Sequence, residues 1–307
     1  MSAGFAPRQP LIRPWHRKLA IDTMKAVVPF KTPLRALLRQ ITPYSTNAAN
    51  DAGLMSDAVE LAARARPAGK AVLEFGSGWN PILPLVLRLA GATHVTLTDQ
   101  ERLLDRALVI QAMDAVTGEW PRIRDALSRP EKAAQVLQVD RTLELPGLLA
   151  ALGLDYLVPF DPAAVPGGSI DIIVSRAVLE HVPETVLPDM LAQFRRMLAP
   201  GGFMLHRIDM SDHWEHADKS ISRLNFLRYS DAVWRLTQFN PQNVQNRLRR
   251  IDYVRMFERA GFRDVSATGE PHGPSLAALG DLALAPRFRE TPAEELAVID
   301  TTVVARL

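Results

Sequence analysis

The chain has 307 residues, 47% of them hydrophobic and 23% charged, with no cysteine and a formal net charge of only +2. That is enough apolar material for one α/β core with an appendage, in preference to two equal domains. The lack of cysteine excludes disulfides, thiolate zinc sites, iron–sulfur clusters and a cysteine nucleophile, and it fits a reducing compartment.

Charge is concentrated at the start. Residues 1–50 hold Arg8, Arg13, Arg17, Lys18, Lys25, Lys31, Arg35 and Arg39 against Asp22 alone, a local +7 that leaves −5 for the remainder. Pro7, Pro10, Pro14, Pro29, Pro33 and Pro43 cut this arm into short helical pieces. Leu34, Leu37, Leu38 and Ile41 recur at helical spacing with Arg35 and Arg39 off the stripe, which reads as a cap helix with its arginines in water. Docking of the arm onto anionic lipid or a charged substrate is the alternative use. Nucleic acid is not expected as a partner, because the aromatic residues are not interleaved with the basic ones. No apolar run nears the roughly 18 residues of a membrane span, and the first residues lack a signal peptide's apolar core, so a cytoplasmic protein is expected. Residues 1–67 form a basic helical extension on this reading, ending in a helix from Ser56 to Arg66, and residues 68–307 form the main domain.

That domain opens with an apolar strand at 71–75 that runs into Gly76-Ser77-Gly78, then a helix from Pro81 to Leu89 and a strand at 94–98 followed by Asp99. In a parallel α/β sheet such a glycine bend lets backbone approach a nucleotide-type ligand, and an acid ending the next strand accepts ribose hydroxyls. Dinucleotide sites want a third glycine where Pro81 stands here, and Glu74 would repel phosphate but suits an ammonium group. The ligand expected therefore lacks a diphosphate.

Alternation continues with a helix from Leu103 to Ala115, a short extended piece at 136–139 between helices, and strands near 155–158, 170–174 and 203–208, with a helix at 191–198 before the last. Residues 211–250 break the pattern with an aromatic-rich insertion, Asp212-His213-Trp214-Glu215-His216 and then Asn225-Phe226-Leu227-Arg228-Tyr229 and Trp234. Placed after the fifth strand, it lies above the carboxyl ends of the strands and reads as a substrate lid. A helix at 252–260 closed by Gly261, a strand at 262–268, a loop at 269–292 and a strand at 301–307 complete the chain.

Glu74-Phe75-Gly76-Ser77-Gly78 and Asp99, followed by Asp161 after the third strand, Val178-Leu179-Glu180-His181-Val182 after the fourth and Pro200-Gly201-Gly202 before the fifth, resemble the ordered motifs of class I S-adenosylmethionine-dependent methyltransferases of the small-molecule type. The resemblance covers roughly residues 69–210. It implies a Rossmann-like, mostly parallel seven-stranded sheet with helices on both faces. It also implies S-adenosyl-L-methionine as cofactor, held by Glu74, Gly76, Gly78, Asp99 and Asp161, with Asp161 at the adenine amino group and Gln100 and Ser175 as neighbours. No N-P-P-Y follows strand four; Ser175-Arg176-Ala177-Val178 stands there, which argues against methylation of base or glutamine amino groups.

Methyl transfer to a hydroxyl gains from a base that removes the proton during attack, and histidine suits that task near neutral pH. His181 and His213 are the candidate bases, and Arg176, His216, Tyr229 and Trp234 the candidate substrate contacts. Asp209, Asp212, His213 and His216 are also the natural place for a divalent cation, since H-x-x-H puts two imidazoles on one helical face. Mg²⁺ prefers carboxylate and water to imidazole, so no metal is expected. The reading is O-methylation of a small-molecule or glycan acceptor; a silent methyltransferase-like subunit and N- or C-methylation are the alternatives.

Overall fold

A computed structural model of the chain describes residues 52–126, 134–238 and 244–307. The basic arm with its leucine stripe lies outside these residues. Helix α1 (Ala52–Ala65) precedes β1 (Ala71–Phe75), α2 (Ile82–Leu89), β2 (His94–Thr98), α3 (Arg106–Gly118), α4 (Trp120–Ala126), α5 (Leu145–Leu152) and β3 (Leu154–Leu157). Then come β4 (Ile170–Arg176), α6 (Leu187–Met197), β5 (Leu198–Asp209), α7 (Asp231–Thr237), α8 (Arg250–Arg259), β6 (Arg263–Thr268), α9 (Gly273–Ala278), α10 (Ala293–Leu296) and β7 (Asp300–Arg306). Among the described residues no helix is long and apolar enough to cross a membrane.

The strands form one seven-stranded sheet in the order β3-β2-β1-β4-β5-β7-β6. The pairs from β3 to β5 are parallel and β7 is antiparallel to both its neighbours, with Phe203 opposite Arg306 and Asp209 opposite Asp300. Successive side chains of a strand point to opposite faces, so each apolar run serves two layers. Val72, Val95, Leu97, Ile172, Val174 and Leu205 face α1, α2, α3 and α5, while Leu73, Ile173, Met204, Ile208 and Val303 face α6 and α8. Helix α2 buries every residue except Arg88, because α1 and α3 cover what the sheet does not.

Three expectations need correction. Residues Ala134–Leu137 form a turn of 3-10 helix where an extended piece was expected at 136–139, and among the described residues they pair with no strand of the sheet. The stretch 269–292 is not merely a loop: it holds α9 and further helical turns, and Ala285 and Phe288 share a core with Trp214, Phe226, Leu227 and Trp234 of the lid insertion. The lid thus has an apolar interior of its own. His213 and His216 lie in consecutive turns, not on a regular helix.

Two buried arginines tie the lid to the sheet. Arg247 donates to the carbonyls of Phe226, at 3.0 Å, and Tyr229, and reaches Asp231 at 2.6 Å. Arg249 donates to Met210 O at 2.8 Å and to the carbonyls of Leu296 and Val298. At the opposite side Asp57 of α1 bridges Arg176, at 2.6 Å, and Arg207, at 2.7 Å, at the carboxyl ends of β4 and β5.

Candidate active site

The bend after β1 is built by its glycines. Gly76 has φ +75° and Gly78 φ +60°, a region costly for other residues. A Cβ at Gly76 would sit 2.7 Å from the Val178 methyls, so the bend and the exit of β4 touch only because glycine is there; beside Gly78 the space is open. The N–H groups of Gly76 and Ser77 donate to Thr98 O, at 3.0 and 2.9 Å. Asp99 then accepts from Gly78 N–H at 2.9 Å and from Gln100 N–H at 2.7 Å, which fixes its carboxylate at the mouth of the bend.

Glu74 is 4% exposed, and its Oε2 has no hydrogen-bond partner. Burial, opposed by the Ser77 hydroxyl and reinforced by the charge of Asp99, pushes its carboxyl up to about 8. A cation placed against this buried acid would favour its ionised form and supply the partner that its oxygen lacks. Asp161 is exposed after β3 and accepts from Ala163 N–H at 2.9 Å, while Phe160 N–H, beside it, donates to Asp99 O at 2.8 Å. Ser175 is fully buried, with its hydroxyl on His206 Nδ1 at 2.7 Å.

A second group of residues lies at the carboxyl ends of β4 and β5, about 5 and 10 Å along the sheet from β1 by strand spacing. His181 ends a helical turn at Leu179–His181, and its ring lies 5.0 Å from that of His213; His216, exposed, stacks on His213 at 5.1 Å. His181 Nδ1 is 2.7 Å from Val244 O, so that nitrogen carries a proton, and in the neutral ring the lone pair is on Nε2. His213 Nε2 is 3.5 Å from Asp209 Oδ2. Burial alone would raise the Asp209 carboxyl, but the hydrogen bond and charge of His213, with Ser211, bring it down to about 2. Burial, then the charge of His213, lowers His216, which favours its neutral form.

Three consecutive lid residues hold these histidines. Val244 takes the His181 ring, Gln245 accepts from His213 N–H at 3.2 Å, and Asn246 donates from its amide to Leu179 O and Val182 O, at 2.7 and 2.9 Å. Glu180, 1% exposed, sits in the same turn, and neither of its carboxylate oxygens has a hydrogen-bond partner. Burial, reinforced by Asp209, holds its carboxyl well above the usual range.

Other expected site residues are committed elsewhere. Arg176 pairs with Asp57. Trp234 is buried in the lid core with its indole N–H on Gln245 O at 2.9 Å, and Tyr229 stacks on it. Asp212, one of the acids expected near the histidines, is fully buried and caps the lid by accepting from Trp214 N–H at 2.8 Å and the Asn225 amide at 3.2 Å.

A family profile described as methyltransferase domain matches residues 48–267. The chain is a class I S-adenosylmethionine-dependent methyltransferase. Its cofactor is S-adenosylmethionine, and the unpartnered Glu74 oxygen, the open face at Gly78 and the fixed Asp99 carboxylate fit a ligand with an ammonium group and a ribose. The match begins before α1, in keeping with the packing of Met55, Ala58, Leu61 and Ala62 in the methyltransferase core. Among curated proteins, none matches this methyltransferase.

Similar solved structures include an S-adenosylmethionine dependent methyltransferase from Mesorhizobium loti, 16% identical over 82% of this chain and 100% of that one, with a TM-score of 0.44. A Haemonchus contortus phosphoethanolamine N-methyltransferase 2 is 14% identical over 82% of this chain and 52% of that one, with a TM-score of 0.43. The CurJ carbon methyltransferase is 17% identical over 78% of this chain, with a TM-score of 0.39, and the chain spans about half its length, 49%.

Glu180, Gln245 and Asn246 escape a reading of the sequence. Glu180 is adjacent to a candidate base, but a glutamate in a turn is normally a solvated one, and only the fold shows that lid and sheet bury it.

Proposed function

We propose that this methyltransferase acts on a hydroxyl oxygen of a small molecule or glycan, and that the histidines at the ends of β4 and β5 handle the acceptor's proton. The observation that carries this reading is the meeting of His181, His213 and His216 beside Asp209, on the same edge of the sheet as the glycine bend.

When bound, S-adenosylmethionine supplies an electrophilic methyl group on a sulfonium. The residues of the chain do the rest. Glu74 would hold the ammonium end, Asp99 the ribose hydroxyls and Asp161 the adenine amino group, which would fix the orientation of the sulfonium methyl. The lid excludes water and aligns the acceptor behind that carbon; such alignment supplies about 7 to 11 kcal/mol of the barrier reduction. In its neutral form His181 carries its lone pair on Nε2, because Nδ1–H donates to Val244 O, and His213 lies beside the Asp209 carboxylate. Either arrangement lets an imidazole take the hydroxyl proton as the oxygen–carbon bond forms.

Candidate hydroxyl acceptors are to be screened for formation of S-adenosylhomocysteine, with the methylated atom located by NMR. His181→Ala and His213→Ala are expected to lower kcat by about 10²- to 10⁴-fold with little change in cofactor affinity. Full turnover by both variants, or a methyl group on nitrogen or carbon, overturns this reading.

A further inference from the structure

The geometry points to a divalent transition-metal site made by Glu180, His181 and His213. One donor atom from each lies within 4.8 Å of the other two. Two imidazoles and one carboxylate, with positions left open, are the donor set of catalytic zinc and of non-haem iron sites.

Two observations beyond the clustering support it. Glu180 is 1% exposed, and both its oxygens are without a hydrogen-bond partner although they face two imidazoles. A carboxyl in that position costs free energy unless a cation or donor meets it. Secondly, His181 donates Nδ1–H to the Val244 carbonyl at 2.7 Å, which is how metal-ligating histidines are oriented and kept in the tautomer that coordinates. Asp209 Oδ2 lies 3.5 Å from His213 Nε2, a carboxylate beside the second imidazole. Imidazole nitrogen selects Zn²⁺, Fe²⁺ or Co²⁺ over Mg²⁺, which prefers an all-oxygen shell. The site therefore differs from an all-oxygen magnesium site and uses Glu180 in place of Asp212 and His216.

This inference deepens the proposed function, on which it rests only for the oxygen acceptor. An ion held here leaves positions for an oxygen ligand at the end of the sheet where the acceptor enters. With an ion bound, His181 and His213 would act on the acceptor through it in place of taking its proton themselves, and that proton would fall to His216, stacked on His213 but outside the donor set.

The test uses the full chain freed of metal by chelator and dialysis. Titration calorimetry with ZnCl₂ is expected to show one equivalent bound per chain, CoCl₂ to give visible ligand-field bands, and MgCl₂ to give no specific heat. Glu180→Gln keeps shape and removes the ionisable carboxyl; it and His181→Ala are expected to weaken Zn²⁺ binding by about 100-fold or more, with circular dichroism confirming that each variant folds. Wild-type protein that binds no Zn²⁺ or Co²⁺, or variants that bind as wild type does, overturn the site. The position of the methyl group in the product is read separately: a metal-loaded enzyme with a nitrogen or carbon product keeps the site and removes the oxygen-acceptor reading. A metal-free enzyme with an O-methylated product does the reverse.

Discussion

Glu74 shows how one side chain carries both a cost and a function. It lies one residue before the end of β1, in the core, with an unpartnered oxygen, and burial keeps it neutral near pH 7. A cofactor ammonium placed against it favours the ionised form, so binding at pH 7 must release a proton. Calorimetry in two buffers of different ionisation enthalpy is expected to report that proton for the wild type and none for Glu74→Gln, whose affinity falls by about 10- to 100-fold, the worth of a charged hydrogen bond. Equal proton release in the two proteins would remove Glu74 from the ammonium site. His181 and His213 are legible in the sequence as candidate bases, whereas the burial of Glu180 between them is not, because residue 180 meets residues 209, 213 and 246 only through the fold.

Among the elements, the strands of the parallel half are the most legible. The apolar run at 71–75 and the alternating one at 94–98 match β1 and β2 because a strand covered on both faces must be apolar nearly throughout, and glycine or proline bounds it. The lid is recognisable as an insertion, but its partner is not. Its aromatic residues pack on Ala285, Phe288 and Leu296, from a stretch whose prolines and glycines suggest a loop. Trp234, 6% exposed, is central to that small core, stacked with Tyr229 and edge-on to Phe226. Trp234→Ala is expected to cost about 3 to 5 kcal/mol, and the loss should fall on the lid. Hydrogen exchange should quicken across 212–234 and 285–299 while β1 and β4 stay protected; uniform quickening of the whole chain would show that the lid is not a separate cooperative unit.

For the molecule as a whole, the buried titratable groups set how stability varies with pH. Glu74 is raised from 4.5 to about 8, so the unfolded chain ionises first; its contribution is fully present below pH 4.5 and is lost as pH rises towards 8. His206, bonded to Ser175 in the core, is lowered by burial from 6.5 to about 3, so its contribution is present above pH 6.5 and is lost as pH falls towards 3. The two oppose each other between pH 4.5 and 6.5, and from 6.5 to 8 the Glu74 loss stands alone of the pair. Urea denaturation is expected to show wild type losing about 1.4 kcal/mol per pH unit relative to Glu74→Gln in that upper window. Parallel curves would show that Glu74 is ionised throughout.

The sequence by itself determined the order of strands and helices, the glycine bend with its flanking acids, and hence the methyltransferase family, because these depend on local periodicity and on residues within some thirty positions of one another. Only the tertiary structure decided which polar groups are buried together, what the lid packs against and which acid joins the histidines. Those are contacts between segments far apart in the chain, and burial, unlike periodicity, leaves no mark on the residues that share it.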